Sequence, residues 1–227
     1  LGHSRCGEVR LGHDFVPTHD NSIMFDPFTT VGVGRVGNFT FSGLGTTPVP
    51  SAITASNTVS YWLPKTLGGV YGMVMLASGE NASNAPDAHD GNLVGARLGY
   101  AAKGFDVAAA LGRTRYVSTA TLGNYTHANL GISWDGGFAK FYGLYNVVQL
   151  ELLSGEARKH TAGLCVQIPV GPGKIKASYA RLEDRSQSGV RNAGGSARSD
   201  NDAQQVAIGY VYDFSRRTAL YGTYARI

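Results

Sequence analysis

The stretch Asn124–Asp135, NYTHANLGISWD, alternates between two kinds of side chain. Alternate positions from Thr126 to Trp134 are mainly apolar, whereas the intervening positions from Tyr125 onward are mainly polar. A period of two is that of a β-strand, whose successive side chains point to opposite faces. The segment therefore predicts a strand that has a different solvent on each of its faces.

The same alternation recurs along the chain. In the segments 157–170 and 202–214, apolar residues alternate with polar or small ones. The predicted strands have about 8–13 residues, close to the 9–11 that a tilted strand needs to cross a bilayer. The pattern predicts eleven strands, near residues 7–14, 57–64, 69–78, 92–102, 104–114, 124–135, 137–148, 157–169, 173–184, 202–214 and 216–226.

The connections between these strands alternate between short and long. Antiparallel hairpins that cross a membrane produce this asymmetry, with tight turns at one end and longer loops at the other. Aromatic residues such as Trp62, Tyr100 and Trp134 lie beside the short turns, as expected at a membrane–water boundary. The short connections lie near 63–69, 101–105, 135–137, 169–173 and 215–217, and the long ones near 15–56, 79–91, 115–123, 149–156 and 185–201.

The composition excludes several other classes of protein. Only 16% of the residues are charged, and no run of about 18 apolar residues predicts a transmembrane helix. The net charge of +4 comes from scattered Lys and Arg, so no nucleic-acid partner is predicted. The histidines and the two cysteines, Cys6 and Cys165, lack the spacing of metal ligands, and no nucleophile motif is present. The sequence therefore predicts no catalytic residues, no metal and no cofactor.

Eleven strands would not make a closed structure by themselves. In lipid every backbone N–H and C=O group needs a partner, so a membrane-spanning sheet must close into a barrel. Barrels formed by a single bacterial chain usually have an even number of strands. We therefore expect further strands outside these 227 residues.

One face of the predicted strands carries many polar and basic side chains. Such groups are costly in a dry core, and a barrel of more than about 14 strands encloses more space than side chains fill. This face therefore predicts a water-filled lumen. Its candidate pore-lining residues are Arg10, Arg97, Lys140, Lys159 and Lys176.

The segment from about 15 to 56 is far longer than an ordinary loop. It contains several phenylalanines, which a fully solvated loop would not need, so it is expected to fold back against protein. If it enters the lumen it would narrow the pore, and Asp20, Asp26 and Arg35 become further constriction candidates. The alternative is an extracellular loop that packs on its neighbours.

Three stretches resemble a known family. GEVRLGHDFVP at 7–17, followed by FDPF at 25–28, resembles the constriction-loop region of Gram-negative general porins, particularly of the beta-proteobacterial type. NTVSYWLPKTLGGVYG at 57–72 is similar to a strand–turn–strand of that family, and DAQQVAIGYVYDFSRRTALYGTYARI at 202–227 is similar to its penultimate hairpin. The resemblance spans essentially the whole chain.

The resemblance implies an all-β fold, a sixteen-stranded antiparallel transmembrane β-barrel that assembles as a homotrimer in the bacterial outer membrane. Residues 1–227 would form part of one such domain, without the first four strands and the last one, and with the constriction loop at about 15–56. The implied function is passive diffusion of ions and small hydrophilic solutes, in contact with outer-membrane lipid and without a cofactor.

Two questions stay open at this stage. A substrate-specific channel of the same architecture is the main alternative, and an outer-membrane adhesin or barrel enzyme is a weaker one. His13, Thr54 and Ser60 stand where the family commonly has Arg, which predicts less basic charge at the constriction. A weak anion preference is still expected from the basic lumen residues.

Overall fold

The computed structural model describes residues 2–3, 5–29, 32–41, 49–190 and 201–227. These residues form one antiparallel sheet in which every strand pairs with its neighbours in sequence, in the order β1 to β12. The strands are β1 Gly2–His3, β2 Gly7–Phe15, β3 Thr54–Trp62, β4 Val70–Ala77, β5 Leu93–Ala102, β6 Phe105–Thr114, β7 Tyr125–Asp135, β8 Lys140–Leu152, β9 Gly155–Val170, β10 Gly173–Asp184, β11 Ala203–Ser215 and β12 Thr218–Arg226.

The helical elements lie in the connection between β2 and β3. They are α1 (Pro17–Met24), α2 (Gly37–Phe41) and a short 3-10 helix at Pro50–Ala52. Pro17 occupies the start of α1, a position whose N–H would have no partner within the helix. Among the described residues, no helix has the length and apolar character needed to span a membrane.

The predicted all-β architecture is confirmed. The eleven predicted strands correspond to β2–β12, and the structure adds the two-residue strand β1 before them. Over the described residues the sheet remains open, with β1 at one edge and β12 at the other. The expectation that eleven strands leave open edges is therefore also confirmed.

One predicted connection is wrong. The segment 149–156 was expected to form a longer loop, but β8 continues to Leu152 and β9 begins at Gly155. Gln149 pairs with Arg158 across the two strands, and Glu151 pairs with Glu156. Polar side chains in this segment belong to strand residues that extend beyond the apolar part of the wall, so their polarity does not mark a loop. Of the predicted long connection 185–201, residues 191–200 lie outside the described residues.

The two faces of the sheet differ as the alternation predicts. One face carries exposed Leu, Val, Ile and aromatic side chains, for example Leu98, Leu130 and Ile208. The other face carries buried polar or small residues at the alternate positions, for example Arg97 and Asn129. Buried residues of the same kind continue on β9–β11. We call these the outer and the inner face. Much of the inner face of β4–β11 is buried where the described parts of the long β2–β3 connection lie against it.

Candidate functional site

The connection between β2 and β3 crosses the inner face of the sheet. Its two ends are joined where the backbone N–H of Val16 donates to the carbonyl of Ile53 at 3.0 Å. Helix α1 packs on β4–β7, with most of its contacts on β5, β6 and β7, while α2 packs on β9. The described parts of this segment therefore run across the inner wall from β4 towards β11, and they fold back against protein as the sequence predicted.

Helix α1 is held to the wall by side-chain amides. Asn21 Nδ2 donates to the carbonyl of Ala108 at 3.1 Å and to Asn129 Oδ1 at 2.9 Å. Asn129 Nδ2 in turn donates to the carbonyl of Thr18 at 2.7 Å. Arg97 donates from Nε to Asn21 Oδ1 at 3.0 Å. We call Asn21, Arg97, Asn129 and Thr18 the amide network, and all four are buried. The burial means that each polar group needs the partner that it has here.

The segment after α1 packs through apolar side chains into hollows of the wall. A Cβ atom added to Gly131 would lie 2.0 Å from Cδ2 of Phe25, and one added to Gly163 would lie 2.5 Å from Cγ2 of Val36. Both distances are far below van der Waals contact, so only glycine leaves room for these side chains. Phe25 and Val36 are completely buried, in one apolar cluster that includes Leu144.

The two glycine hollows belong to one row across the sheet. In the strand register Gly131 pairs with Leu144, and Leu144 pairs with Gly163. The row continues from Gly163 to Ala180 on β10, and on its other side from Gly131 to Ala108 on β6. Four of the five positions in this row across β6–β10 are therefore Gly or Ala, and the described part of the loop packs along it on either side of Leu144.

The carboxylate of Asp26 holds the turn of the loop from inside. Its Oδ1 accepts a hydrogen bond from the backbone N–H of Phe28 at 2.9 Å, and its Oδ2 accepts one from Val36 at 2.7 Å. Asp26 is only 3% exposed. Burial, the largest influence, raises the pKa of Asp26 to about 6, although these two bonds and the charges of Arg35 and Lys176 lower it. Asp26, which the sequence suggested as a pore-lining group, thus binds backbone of its own loop.

Wall side chains also bind the loop backbone on the β10–β11 side. Ser178 Oγ donates to the carbonyl of Gly34 at 2.6 Å, and Gln205 Nε2 donates to the carbonyl of Arg35 at 3.3 Å. Arg35 is half-buried and donates from Nε to Asn38 Oδ1 at 2.7 Å. The guanidinium of Arg35 is thus positioned by a neighbour on the loop itself.

The two predicted arginines of the wall lie in different environments. Arg10 is exposed on β2, where its guanidinium pairs with Glu8 at 2.8 Å and lies 4.1 Å from the ring centroid of Trp62. Arg97 is 6% exposed, and its guanidinium lies 5.0 Å from the ring centroid of Tyr71. Arg10 is therefore open to solvent on the inner face, whereas Arg97 lies beneath α1.

The three predicted lysines are spread along the inner wall. Lys140 lies at the start of β8 with its Nζ 5.2 Å from the ring centroid of Tyr142. Lys159 is buried on β9. Lys176 on β10 donates from Nζ to the carbonyl of Pro27 at 2.6 Å. The structure thus brings Lys176 to the loop near Asp26, while Lys140 and Lys159 occupy other parts of the wall.

Asp20 on α1 lies near charged groups of β2 and β5. Burial raises its pKa to about 6, Arg97 and Arg10 oppose this rise, and Asp14 adds to it. The neighbouring His19 is buried, and desolvation together with the charge of Arg35 lowers its pKa to about 4. Near neutral pH the loop therefore presents a charged Asp20 and a neutral His19.

The sequence did not indicate the glycine hollows or the amide network. The available signal was that Gly131, Gly163 and Asn129 lie at inner-face positions of the alternation. Alternation alone does not show which loop residues contact them. In the described part of the chain no group of three or more His, Cys, Asp or Glu residues could hold a metal ion. Of the two cysteines, Cys6 is exposed and Cys165 is buried beneath the loop.

Comparisons with known proteins identify relatives of this chain. It is 28% identical over 221 residues to outer membrane porin protein 32 of Delftia acidovorans, which covers 96% of this chain and 59% of that protein. Its fold matches the anion-selective porin from Comamonas acidovorans with a TM-score of 0.81 and 28% identity, covering 97% of this chain and 63% of the other. The chain therefore spans about three fifths of the length of these relatives.

A more distant structure has the same fold. The chain matches OmpF of Salmonella typhi with a TM-score of 0.72 at 13% identity, covering 98% of this chain and 67% of the other. The sequence pattern of the family described as Gram-negative porin matches residues 1–227. The chain therefore belongs to the Gram-negative porin family, and it is a strand-built protein of the bacterial outer membrane.

Proposed function

We propose that the whole protein forms a water-filled channel for passive diffusion of ions and small hydrophilic solutes across the outer membrane. One observation carries the proposal: the described parts of the long β2–β3 connection lie across the polar inner face of a sheet whose outer face is apolar. A wall with these two faces suits lipid on one side and water on the other. A loop that lies across the polar face narrows the water-filled lumen without blocking it.

The proposed constriction combines loop and wall residues. Asp20 on the loop would face the basic wall residue Arg10, and a field between opposite charges orients polar solutes and disfavours apolar ones. Arg35, Lys140, Lys159 and Lys176 would add positive charge along the lumen. Asp26, being buried, would set the shape of the loop and contribute little to the field.

The proposed pore has a weak anion preference and assembles as a homotrimer. The relative from Comamonas acidovorans is described as anion-selective, and an outer membrane protein of Vibrio cholerae with the same fold is described in a trimer form. The family resemblance supports the trimer, with the tight turns on the periplasmic side and the longer loops outside. A barrel enzyme is not supported, because the family and its relatives are channels.

Planar-bilayer recording of the full-length protein tests this function. We expect stepwise current increments of uniform size, because each inserted trimer adds the same set of water-filled pores. Absence of conductance from folded, heat-modifiable oligomer would contradict the proposal. A reversal potential measured in a KCl gradient tests the anion preference separately, and a value that indicates cation preference would refute that part alone.

A further inference from the structure

The guanidinium of Arg10 on β2 has three close neighbours on the inner face. Its Nε donates to Glu8 Oε1 at 2.8 Å, and its Nη1 lies 3.8 Å from Asp14 Oδ2. Its Cζ lies 4.1 Å from the ring centroid of Trp62. Trp62 is fixed in turn, because its Nε1 donates to Ser60 Oγ at 3.2 Å. The guanidinium therefore has carboxylates along its edge and an aromatic ring on one face.

The strand register places Arg10 level with helix α1 across the sheet. Arg10 pairs with Ser60, and the row continues through Met75 on β4 to Gly95 on β5. A Cβ atom added to Gly95 would lie 3.1 Å from Cγ of Pro17, the first residue of α1. Three strand spacings separate Arg10 from Gly95, which is about 14 Å of sheet. Arg10 therefore lies beside the place where the long loop begins to cross the inner face.

Negative charge is in excess around Arg10. The described carboxylates that interact electrostatically with Arg10 belong to Glu8, Asp14 and Asp20. Arg97, which acts on Asp20 from β5, is only 6% exposed beneath α1. Lys65 in the β3–β4 turn acts on Glu8 less strongly than Arg10 does. Three carboxylates thus surround one guanidinium that is open to solvent.

The charged groups on β2 are also accessible from the inner face. The side chain of Arg10 is 43% exposed, that of Glu8 is 46% exposed and that of Asp14 is 24% exposed. Partly exposed charges act on ions in the adjacent water as well as on each other. The net charge of this group, and not the charge of Arg10 alone, is therefore what a passing ion meets.

We propose that Glu8 and Asp14 determine the ion selectivity of the pore by cancelling the charge of Arg10. This inference rests on the proposed channel and deepens it, because it names residues that keep the anion preference weak. An anion that passes Arg10 meets donors already directed at carboxylates, whereas a cation is attracted by the excess of negative charge. Trp62 is a positioning residue, since its ring keeps the guanidinium within reach of Glu8.

Reversal potentials of the full-length protein in a KCl gradient test this assignment. Glu8→Gln removes a negative charge and keeps the size of the side chain, so the ratio of anion to cation permeability should rise. A unit charge about 10 Å from the ion, screened by about 0.1 M salt, changes this ratio roughly twofold. Arg10→Gln should lower the ratio by a similar factor, and Glu8→Asp, which keeps the charge, should stay close to the wild type. Equal ratios in the wild type and Glu8→Gln would overturn the proposal.

The matched control is Glu183→Gln. Glu183 pairs with Arg181 at 3.3 Å and with Arg185 at 2.6 Å, but it lies on the outer face of β10. Its replacement breaks the same kind of ion pair outside the lumen, so the permeability ratio should stay at the wild-type value. A shift in Glu183→Gln as large as that in Glu8→Gln would overturn the proposal.

Asp14→Asn gives an independent second measurement. The amide oxygen can still accept the hydrogen bond that Asp14 Oδ1 accepts from the backbone N–H of Phe15 at 2.8 Å, so the local fold is kept. The ratio should rise as in Glu8→Gln, and an unchanged ratio would contradict the role of Asp14.

Salt dependence separates a charge effect from a change in pore shape. Both shifts should shrink when the KCl concentration is raised to about 1 M, where the Debye length falls to about 3 Å. Shifts that stay constant would indicate an altered pore shape and overturn the proposal. Absence of conductance in the wild type would overturn the channel and this inference together, whereas equal reversal potentials from conducting channels would overturn this inference alone.

Discussion

The two halves of the β2–β3 loop bind the same wall in different ways. Helix α1 is held by hydrogen bonds of the amide network, whereas the segment from Phe25 to Val36 is held by side chains that fill glycine hollows. Hydrogen bonds need defined partners, but a small displacement lengthens them without a collision. The packing of a ring above a glycine requires instead that the glycine has no Cβ atom. The second half is therefore the part that a single methyl group can displace.

The difference predicts a large effect for Gly131→Leu. The new side chain would occupy the position of the Phe25 ring, so the loop should lose free energy of docking comparable to a Phe→Ala change, about 3–5 kcal/mol. Denaturant titration of the full-length protein, followed by protease cleavage within the loop, measures this. Single-channel currents should also become heterogeneous.

The control for this prediction is Gly222→Leu. Gly222 also lies within a strand, but a Cβ atom added there has no other atom within 4 Å among the described residues. It should leave loop protection and conductance close to the wild type. Similar protease protection in G131L and G222L would mean that the Phe25–Gly131 contact does not hold the loop.

We expect the docking of the apolar half of the loop to depend on pH because of Asp26. Its pKa rises from 3.8 to about 6 on folding, so the folded state holds the proton more tightly. The associated stability is fully present below pH 3.8 and is lost as pH rises through about 6. Two pKa units correspond to about 3 kcal/mol. Loop docking should therefore weaken between pH 4 and pH 6 because of this residue.

Because His19 and Asp20 also titrate, the contribution of Asp26 is isolated by comparing the wild type with the variant Asp26→Asn. The lowered pKa of His19 has the opposite sign, since its contribution is present above pH 6.5 and is lost as pH falls through about 4. Asp20 titrates in the same direction as Asp26. Subtracting the pH profile of D26N from that of the wild type removes both. The difference should decline from pH 4 to pH 7, and a flat difference would contradict a buried, titrating Asp26.

The strands were predictable because the side chains of each strand alternate between two environments with a period of two. The inner-face positions of Arg97, Lys159 and Lys176 followed from the same period. The connection at 149–156 was misjudged since polar rim residues such as Glu151 and Arg158 have a loop-like composition while they remain in strands. Local composition cannot distinguish a strand that extends into water from a loop.

The partners of the loop were not predictable for a different reason. Phe25 meets Gly131 only after β2–β7 have taken their places, so the contact depends on the register of every intervening pair. Asp26 was expected to be a constriction residue, and its charge gave no sign that two backbone N–H groups would bind it. Contacts of high sequence separation are fixed by the fold as a whole.

The polar half of the loop should respond less to a single change. Asn129→Ala removes the acceptor of Asn21 and the donor to Thr18, and leaving buried polar groups without partners costs about 1–3 kcal/mol. Loop protection against protease in denaturant, measured as for Gly131→Leu, should fall by this smaller amount. Water that enters the gap from the lumen would satisfy part of the freed groups, which a displaced ring cannot achieve.

A double-mutant cycle of Asn21→Ala and Asn129→Ala shows whether the amide network acts as a unit. Because the two side chains bind each other at 2.9 Å, the double variant should lose less than the sum of the single losses. Asn21→Ala combined with Gly131→Leu should come closer to additivity, since Asn21 contacts neither Phe25 nor Gly131 through its hydrogen bonds. Additive losses in the first pair would mean that α1 is held by independent contacts. Strong coupling in the second pair would mean that the two halves of the loop detach together. The halves would then differ in the kind of contact they make with the wall but would not be energetically independent.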